Sequence, residues 1–211
     1  LSQLEIVPGG RLLVIALGKA AWQMARAAHN ALGAAITQGL VITKYGHSGG
    51  EIQGFTVREA GHPVPDSQSF AATKEALDLA RGLSSRDTVL LLISGGGSAL
   101  FEMPLISADE LADITRQLLA SGADIREMNT IRKRLSAVKG GRFALACQPA
   151  RVVSIILSDI IGDPLDMIAS GPACPDASTT EDARRIAARY GLRLSEAARA
   201  LLDRETPKEL P

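Results

Sequence analysis

The stretch Val89–Leu100, VLLLISGGGSAL, limits what this chain can fold into more than any other. Five apolar residues, Val89 to Ile93, run directly into Ser94-Gly95-Gly96-Gly97-Ser98. An unbroken aliphatic run of this length suits a strand buried on both faces, as in a parallel sheet covered by helices. The glycines carry no Cβ, so their backbone amides can come close to a ligand, and Ser94 and Ser98 add hydroxyl donors. The guest that such a loop suits is an anion, most often a phosphate. A glycine triplet serves a bare strand-to-helix turn equally well, and these residues alone leave both readings open.

The rest of the chain has the alternation that such a strand requires. Arg11 to Leu17 reads as a buried strand, followed by Gly18-Lys19 and an Ala-rich helix to about Ala35. Ala20, Met24, Ala27, Ala31 and Ala35 share one face of that helix at helical spacing. Gly39 to Thr43 and Phe55 to Glu59 are further strands. Asp66 or Ser67 caps a helix with Phe70, Thr73, Leu77 and Ala80 inward. Ser107 and Glu110 form a capping box for a helix that buries Leu111, Ile114 and Leu118. Asp124 and Glu127 box the next helix. Its apolar stripe is Met128, Ile131, Leu135 and Val138, and its polar stripe is Asn129, Arg132, Ser136 and Lys139. Val152 to Leu157 reads as another buried strand. Ser178 and Glu181 box a helix ending at Tyr190-Gly191, and a short helix runs from about Ser195 to Leu202. The fold class is α/β, a sandwich on a mostly parallel sheet. In such sheets ligands bind beyond the carboxyl ends of the strands. Gly18-Lys19, Lys44 to Gly50, Gly61-His62, Ser94 to Ser98 and Ser158 to Asp166 all follow strands.

Lysine plus arginine equals aspartate plus glutamate over the 211 residues, so bulk charge points to no nucleic-acid partner. Aromatics are 3% of the chain, too few for a base-stacking platform. No apolar run approaches the ~20 residues of a membrane span. Cys147 and Cys174 lie far apart without metal spacing, and Leu1 opens no secretory signal, so a reduced, cytoplasmic setting is expected. The chain begins at Leu1 without Met, and 206–211 read like the start of a linker. A segment of a longer protein is therefore expected.

Several groups have the chemistry for a site. A lysine directly after a strand and a glycine, as Lys19 is, offers a point charge to a phosphate, and a cation there opposes the helix dipole without such a partner. His62, in Gly61-His62-Pro63, suits orienting a substrate hydroxyl, donating to a phosphate, or simply filling a rigid turn. Asn129, Arg132, Lys133 and Lys139 make a cationic cluster with few interleaved acids. Arginine's planar fork matches a carboxylate or phosphate. Asp159, Asp163 and Asp166 follow a strand and offer oxygens to Mg²⁺, or cap turns. The P-loop pattern is absent, and Leu100 stands where a dinucleotide fingerprint beginning at Gly95 needs its third glycine.

Five segments taken together resemble one family: VIALGKAA, EAGHPVPD, LLISGGGSALFEMP, LLASGADIREMNTIRKRLSAVKGGR and LSDIIGDPLDMIASGPACPD. In this order and spacing, from about Val14 to about Asp182, they look like the type II glycerate 2-kinases, whose C-terminal half is called the MOFRL domain. The resemblance implies ATP-dependent phosphorylation of D-glycerate to 2-phosphoglycerate with Mg²⁺. It also implies a three-layer, Rossmann-like N-terminal domain, here 1–205, with 206–211 leading toward a second domain that is not in this sequence. A homodimer is a family-level expectation. The family's proposed catalytic lysine falls on Lys19, its glycine-rich loop on Ser94, Gly95, Gly96, Gly97 and Ser98, and its Asn-x-x-Arg-Lys helix on Asn129, Arg132 and Lys133. On this reading Lys19 and the loop amides hold phosphoryl oxygens, and Mg²⁺ sits on Asp159 or Asp163. Arg132 or Lys139 pairs the glycerate carboxylate, and His62 or an aspartate serves as base. The alternatives are an NAD(P)H-dependent hydroxypyruvate reductase and a non-catalytic domain that binds a phosphorylated ligand.

Overall fold

Residues 4–158 and 165–210 are described by a computed structural model. Among them, β1 (Leu12–Leu17), β2 (Gln38–Lys44), β3 (Phe55–Ala60), β4 (Thr88–Ser94) and β5 (Arg151–Leu157) form one sheet. Its order is β3-β2-β1-β4-β5, and every neighbouring pair is parallel. The aliphatic runs take the two central places, since every residue of β1 and β4 is buried. A strand covered by helices on both faces has no solvent side on which to place a polar residue.

One face is covered by α1 (Ala21–Leu32). It packs Ala21, Trp22, Ala25 and Ala28 on Leu12, Val14, Ala16, Val41, Leu90 and Leu92. The small-residue face expected from sequence is about one position off, and Ala27, Ala31 and Ala35 are exposed. Alanines surround this helix, so their spacing does not choose a face. Trp22 chooses it, because its indole is buried, donates from Nε1 to the Gly50 carbonyl at 2.8 Å and packs on Gly49.

The opposite face receives α2 (Ser67–Ala80) through Ala72, Thr73, Ala76 and Ala80. Phe70 and Leu77, expected inward, are only half-buried at its flank. Asp66 is the N-cap, in a reciprocal box with Ser69. The β4–β5 crossover carries α3 (Gly97–Leu100), α4 (Ala108–Ala120), α5 (Ile125–Arg134) and α6 (Arg142–Ala146). Phe101, Val138 and Phe143 from this crossover complete the core on the α2 side. A separate cluster joins α4 and α5 to α7 (Thr180–Arg189) and α8 (Glu196–Leu202) through Leu111, Ile114, Leu118, Ile131, Ile186 and Leu202.

Two expected capping boxes differ in detail. Ser107 accepts from the Glu110 amide, but the Glu110 carboxylate accepts from the Ser195 amide instead of closing the box. The α7 box is made by Thr179 and Asp182, one residue after the expected pair. β5 is an edge strand rather than a strand buried on both faces. Ile155 and Leu157 are exposed on it, because an apolar run does not encode how many strands lie beyond. The segment expected to start a linker packs on the domain. Thr206 Oγ1 donates to Asp176 Oδ2 at 2.7 Å, and the Pro207 carbonyl accepts from the Asp176 amide at 2.9 Å.

The amino ends of β1 and β4 are tied by Asp87, a buried carboxylate that accepts from the Arg11 amide and guanidinium and from the Ser84 amide. Chiefly through the Arg11 side-chain bond, this carboxylate is held far below the usual range. A depressed carboxylate contributes stability above its unfolded value of about 4, and that contribution is lost as pH falls toward the folded value. Asp87→Asn is expected to be less stable at neutral pH and to lose less stability than wild type on going from about pH 4 to pH 2. Denaturant unfolding across that window checks this, and parallel curves for the two proteins would exclude the linkage.

Candidate active site at the carboxyl edge of the sheet

The chain runs from β1 outward to β2 and β3, then returns to place β4 on the other side of β1. The loops after β1 and β4 therefore leave neighbouring strands in opposite directions, which is where open α/β sheets form a ligand crevice. Here the two loops are stitched together. The Lys19 amide donates to the Gly95 carbonyl at 2.8 Å, and the Ala20 amide donates to Ser94 Oγ at 3.0 Å. Gly18 has a φ of +113°, and a Cβ on it would lie 2.3 Å from Ser94 Oγ. Only glycine allows strand ends this close.

Ser94 is therefore not a ligand donor, contrary to the sequence expectation. Its buried hydroxyl donates to the Leu17 carbonyl and accepts from Ala20. Gly97 also acts in packing, since a Cβ there would lie 2.7 Å from both Ala169 Cβ and Leu17 Cδ1.

Gly96 is the meeting point. At a φ of +88°, its α-carbon faces two side chains from other loops. A Cβ there would sit 3.0 Å from Lys19 Cε and 3.1 Å from His62 Nε2. The ends of β1, β3 and β4 thus bring Lys19, His62 and the glycine loop together. Lys19 is exposed, and among the described residues it makes no ion pair. The Asp66 carboxylate near His62 serves the turn, accepting from Tyr45 Oη and from the Ser69 amide. Burial, and then the nearby Lys19, Lys44 and His47, pull the His62 imidazole below its ordinary value. The imidazole is thus biased toward its neutral form beside the Lys19 ammonium, an arrangement suited to accepting a proton next to an anion.

The basic helix behaves differently from its sequence expectation. Lys139 is fully buried, with Nζ 2.8 Å from the Ser98 and Phe101 carbonyls and 3.1 Å from Glu102 Oε2. Burial pulls it down to about 8. Three oxygens surround its three protons, so it does not reach a substrate carboxylate. Lys133 is also buried, paired at 3.1 Å with both Asp166 and Asp176. Asn129 is buried against Ser170 and Met167. Asn129 and Lys133 lie on the face of α5 that packs against residues 167–170 and against Asp166 and Asp176, and Lys139 leaves the surface stripe implied by helical spacing because α5 ends at Arg134. Arg132 alone of the four stays partly open, with Nη2 3.2 Å from the Ser98 carbonyl and 3.7 Å from Glu102 Oε2.

Sequence reasoning missed Glu102 and Ser170. Glu102 is a fully buried carboxylate whose only local sign was the lack of acids near the lysines it serves. Ser170 Oγ lies 3.0 Å from Ser98 Oγ, and Ala169 and Ser170 both have positive φ, at 51° and 60°. Side chains rarely adopt that region, and residues held there cluster at functional sites. Asp159 and Asp163, the expected metal ligands, lie outside the described residues. Among the described residues no group of three His, Cys, Asp or Glu could hold a metal ion, and no helix is long and apolar enough to cross a membrane.

The fold and the loop cluster define an α/β protein with a lysine, a histidine and a glycine-rich loop gathered at the switch point of a parallel sheet. Residues 2–203 match the family described as Domain of unknown function (DUF4147), and the chain belongs to it. A relative in Thermotoga maritima named D-glycerate 2-kinase is 54% identical over 202 residues, covering 95% of this chain and 48% of that protein. One in Agrobacterium vitis named putative hydroxypyruvate reductase is 45% identical over 207 residues, covering 95% and 47%. The crystal structure of glycerate kinase from Thermotoga maritima superposes with a TM-score of 0.93 at 53% identity, covering 96% of this chain and 49% of that one. The chain spans about half the length of the curated relatives it matches.

Proton NMR of the full-length polypeptide is expected to place the His62 midpoint below the ordinary value of about 6.5. Lys19→Met should move it upward, since removing a neighbouring cation makes protonation easier. An unmoved midpoint would mean that the two side chains do not share a site.

Proposed function

We propose that this chain supplies the Lys19 and glycine-loop half of an ATP-dependent kinase that phosphorylates D-glycerate at its 2-hydroxyl. The observation that carries the proposal is the convergence of the Lys19 and His62 side chains on Gly96. Phosphoryl transfer asks a protein mainly for positioning and charge stabilisation. His62 takes the proton of the 2-hydroxyl as that oxygen bonds to the γ-phosphorus. The bond from phosphorus to the bridging oxygen breaks, and ADP leaves with the electron pair. Lys19 and the amides of the Gly95–Gly96 loop hold the equatorial oxygens. Arg132, the one partly open cation of the basic helix, pairs the substrate carboxylate through the exposed part of its guanidinium. Asp159 and Asp163 are the proposed holders of the Mg²⁺ that the reading implies, which would supply charge neutralisation for the phosphates. The names of the Thermotoga relative and crystal structure support this reading. The cytoplasm is the proposed setting, with Cys147 and Cys174 free.

The hydroxypyruvate reductase name in Agrobacterium suggests the second reading. A dinucleotide site of the usual kind places its glycine fingerprint at the β1–α1 turn. Here that turn is Gly18-Lys19-Ala20, and the glycine run follows β4 instead, which favours the kinase.

The test is an assay of the full-length polypeptide with D-glycerate, ATP and Mg²⁺, with the product assigned by phosphorus NMR. A 2-phosphoglycerate signal is expected. NADH consumption on hydroxypyruvate, with no phosphorylated product, would overturn the proposal. Lys19→Ala is expected to lower kcat far more than it raises KM, by about a hundred- to a thousandfold, or ~3–4 kcal/mol. Near-normal turnover would remove Lys19 from the mechanism.

A further inference from the structure

Ser98 sits partly exposed on the first turn after Gly96 and Gly97. Its backbone is held by two cations, since its carbonyl accepts from Arg132 Nη2 at 3.2 Å and from Lys139 Nζ at 2.8 Å. Its hydroxyl lies 3.0 Å from that of Ser170, and Ser170 Oγ donates to Asn129 Oδ1 at 2.9 Å. The polarity of this chain follows from proton counting. Asn129 Nδ2 faces Met167 Sδ at 3.6 Å, and a thioether can only accept, so the amide presents oxygen to Ser170. A serine hydroxyl has one proton, and that of Ser170 is committed to Asn129. At the contact between the two serines, Ser98 must therefore be the donor. Ser170 and Asn129 are both buried, so bulk solvent does not compete for either hydrogen bond.

What the partly exposed Ser98 hydroxyl can offer a ligand is consequently lone pairs alone. A phosphate oxygen that carries no proton gains nothing from such a group, whereas a hydroxyl does. This reverses the expectation from sequence that Ser98 donates to a phosphate. The hydroxyl involved also has to keep its proton, because a neutral serine oxygen is far too weak a base to remove one. The reacting hydroxyl gives its proton to His62.

We propose that Ser98 is the residue that reads the non-reacting hydroxyl of the hydroxy-acid substrate, accepting its hydrogen bond at Oγ. The proposal rests on the glycerate kinase reading, and it makes the serine end of the glycine loop a hydroxy-acid subsite rather than part of a nucleotide cradle. D-Lactate is D-glycerate with the 3-hydroxyl replaced by hydrogen, so it isolates the contact.

The experiment compares kcat/KM for D-glycerate and D-lactate in the full-length wild type and in Ser98→Ala, with the thermal midpoint confirming that the variant is folded. Wild type is expected to prefer glycerate by about tenfold or more, the usual worth of one hydrogen bond to a held group. In Ser98→Ala that preference is expected to collapse toward unity, with KM for ATP unchanged. A raised KM for ATP with the glycerate preference intact would overturn the proposal by placing Ser98 at the nucleotide. An unchanged preference with both KM values unchanged would overturn it by reducing Ser98 to a turn residue. Calorimetric binding of the two acids reads the same ratio without turnover. A protein that binds glycerate but transfers no phosphate therefore sinks the kinase reading and still judges Ser98 on its ratio.

Discussion

The close approach of Gly18 to Ser94 is the contact on which the rest of the site depends. Two parallel central strands end side by side, and each must release its chain in a different direction. Without a Cβ at residue 18, the Ser94 hydroxyl reaches across to Leu17 and Ala20, and the Lys19 amide reaches Gly95. Both departing loops are then fixed relative to the sheet. Lys19 leaves on one side and Gly96 on the other, and their convergence is set by backbone bonds rather than by flexible side chains. A substituent at residue 18 would separate the strand ends and disturb Lys19, Gly96 and His62 together.

Beneath the glycine loop lies a second, ionic layer. Lys139, Arg132 and Glu102 surround the carbonyls that end the short α3 turn, and Lys133 with Asp166 and Asp176 binds the following segment. Buried charges of this kind are weak evidence for stability, because desolvation offsets much of their attraction. Here they serve geometry. Two cations on one carbonyl fix Ser98, which in turn has its hydroxyl oriented by Ser170 and Asn129. Ala169 and Ser170, held at positive φ, are the backbone cost of bringing that hydroxyl chain against the loop.

Much of the architecture was legible in the sequence, and the reasons are local. Val89 to Ile93 suits a strand covered on both faces and is one, and Asp124 with Glu127 signals a helix start and makes a reciprocal box there. Errors came where a local pattern was degenerate. Alanines on every side of α1 gave no unique face until Trp22 was placed. The β5 run looked central because apolar composition is blind to what lies beyond it. Thr179 with Asp182 and Ser178 with Glu181 are equivalent as strings, and only the backbone chooses between them.

For the site, the sequence by itself determined which chemistry gathers at one edge. Polar and glycine-rich segments follow strands, parallel strands end on the same side, and so Lys19, His62 and the triple-glycine loop had to share that edge. What only the tertiary structure decided is which polar groups remain free. Ser94, Lys133 and Lys139 read as ligand residues along the chain, yet each is occupied by a partner: a neighbouring strand end for Ser94, and distant carboxylates and carbonyls for the two lysines. A hydrogen-bonding group is available only when no other group claims it. Its claimants here come from residues up to 77 positions away, as the Ser94–Leu17 and Arg11–Asp87 contacts illustrate. The direction in which Ser98 carries its proton belongs to the same class. It is fixed two residues deeper, by an amide facing a sulfur, where no local pattern in the sequence can reach.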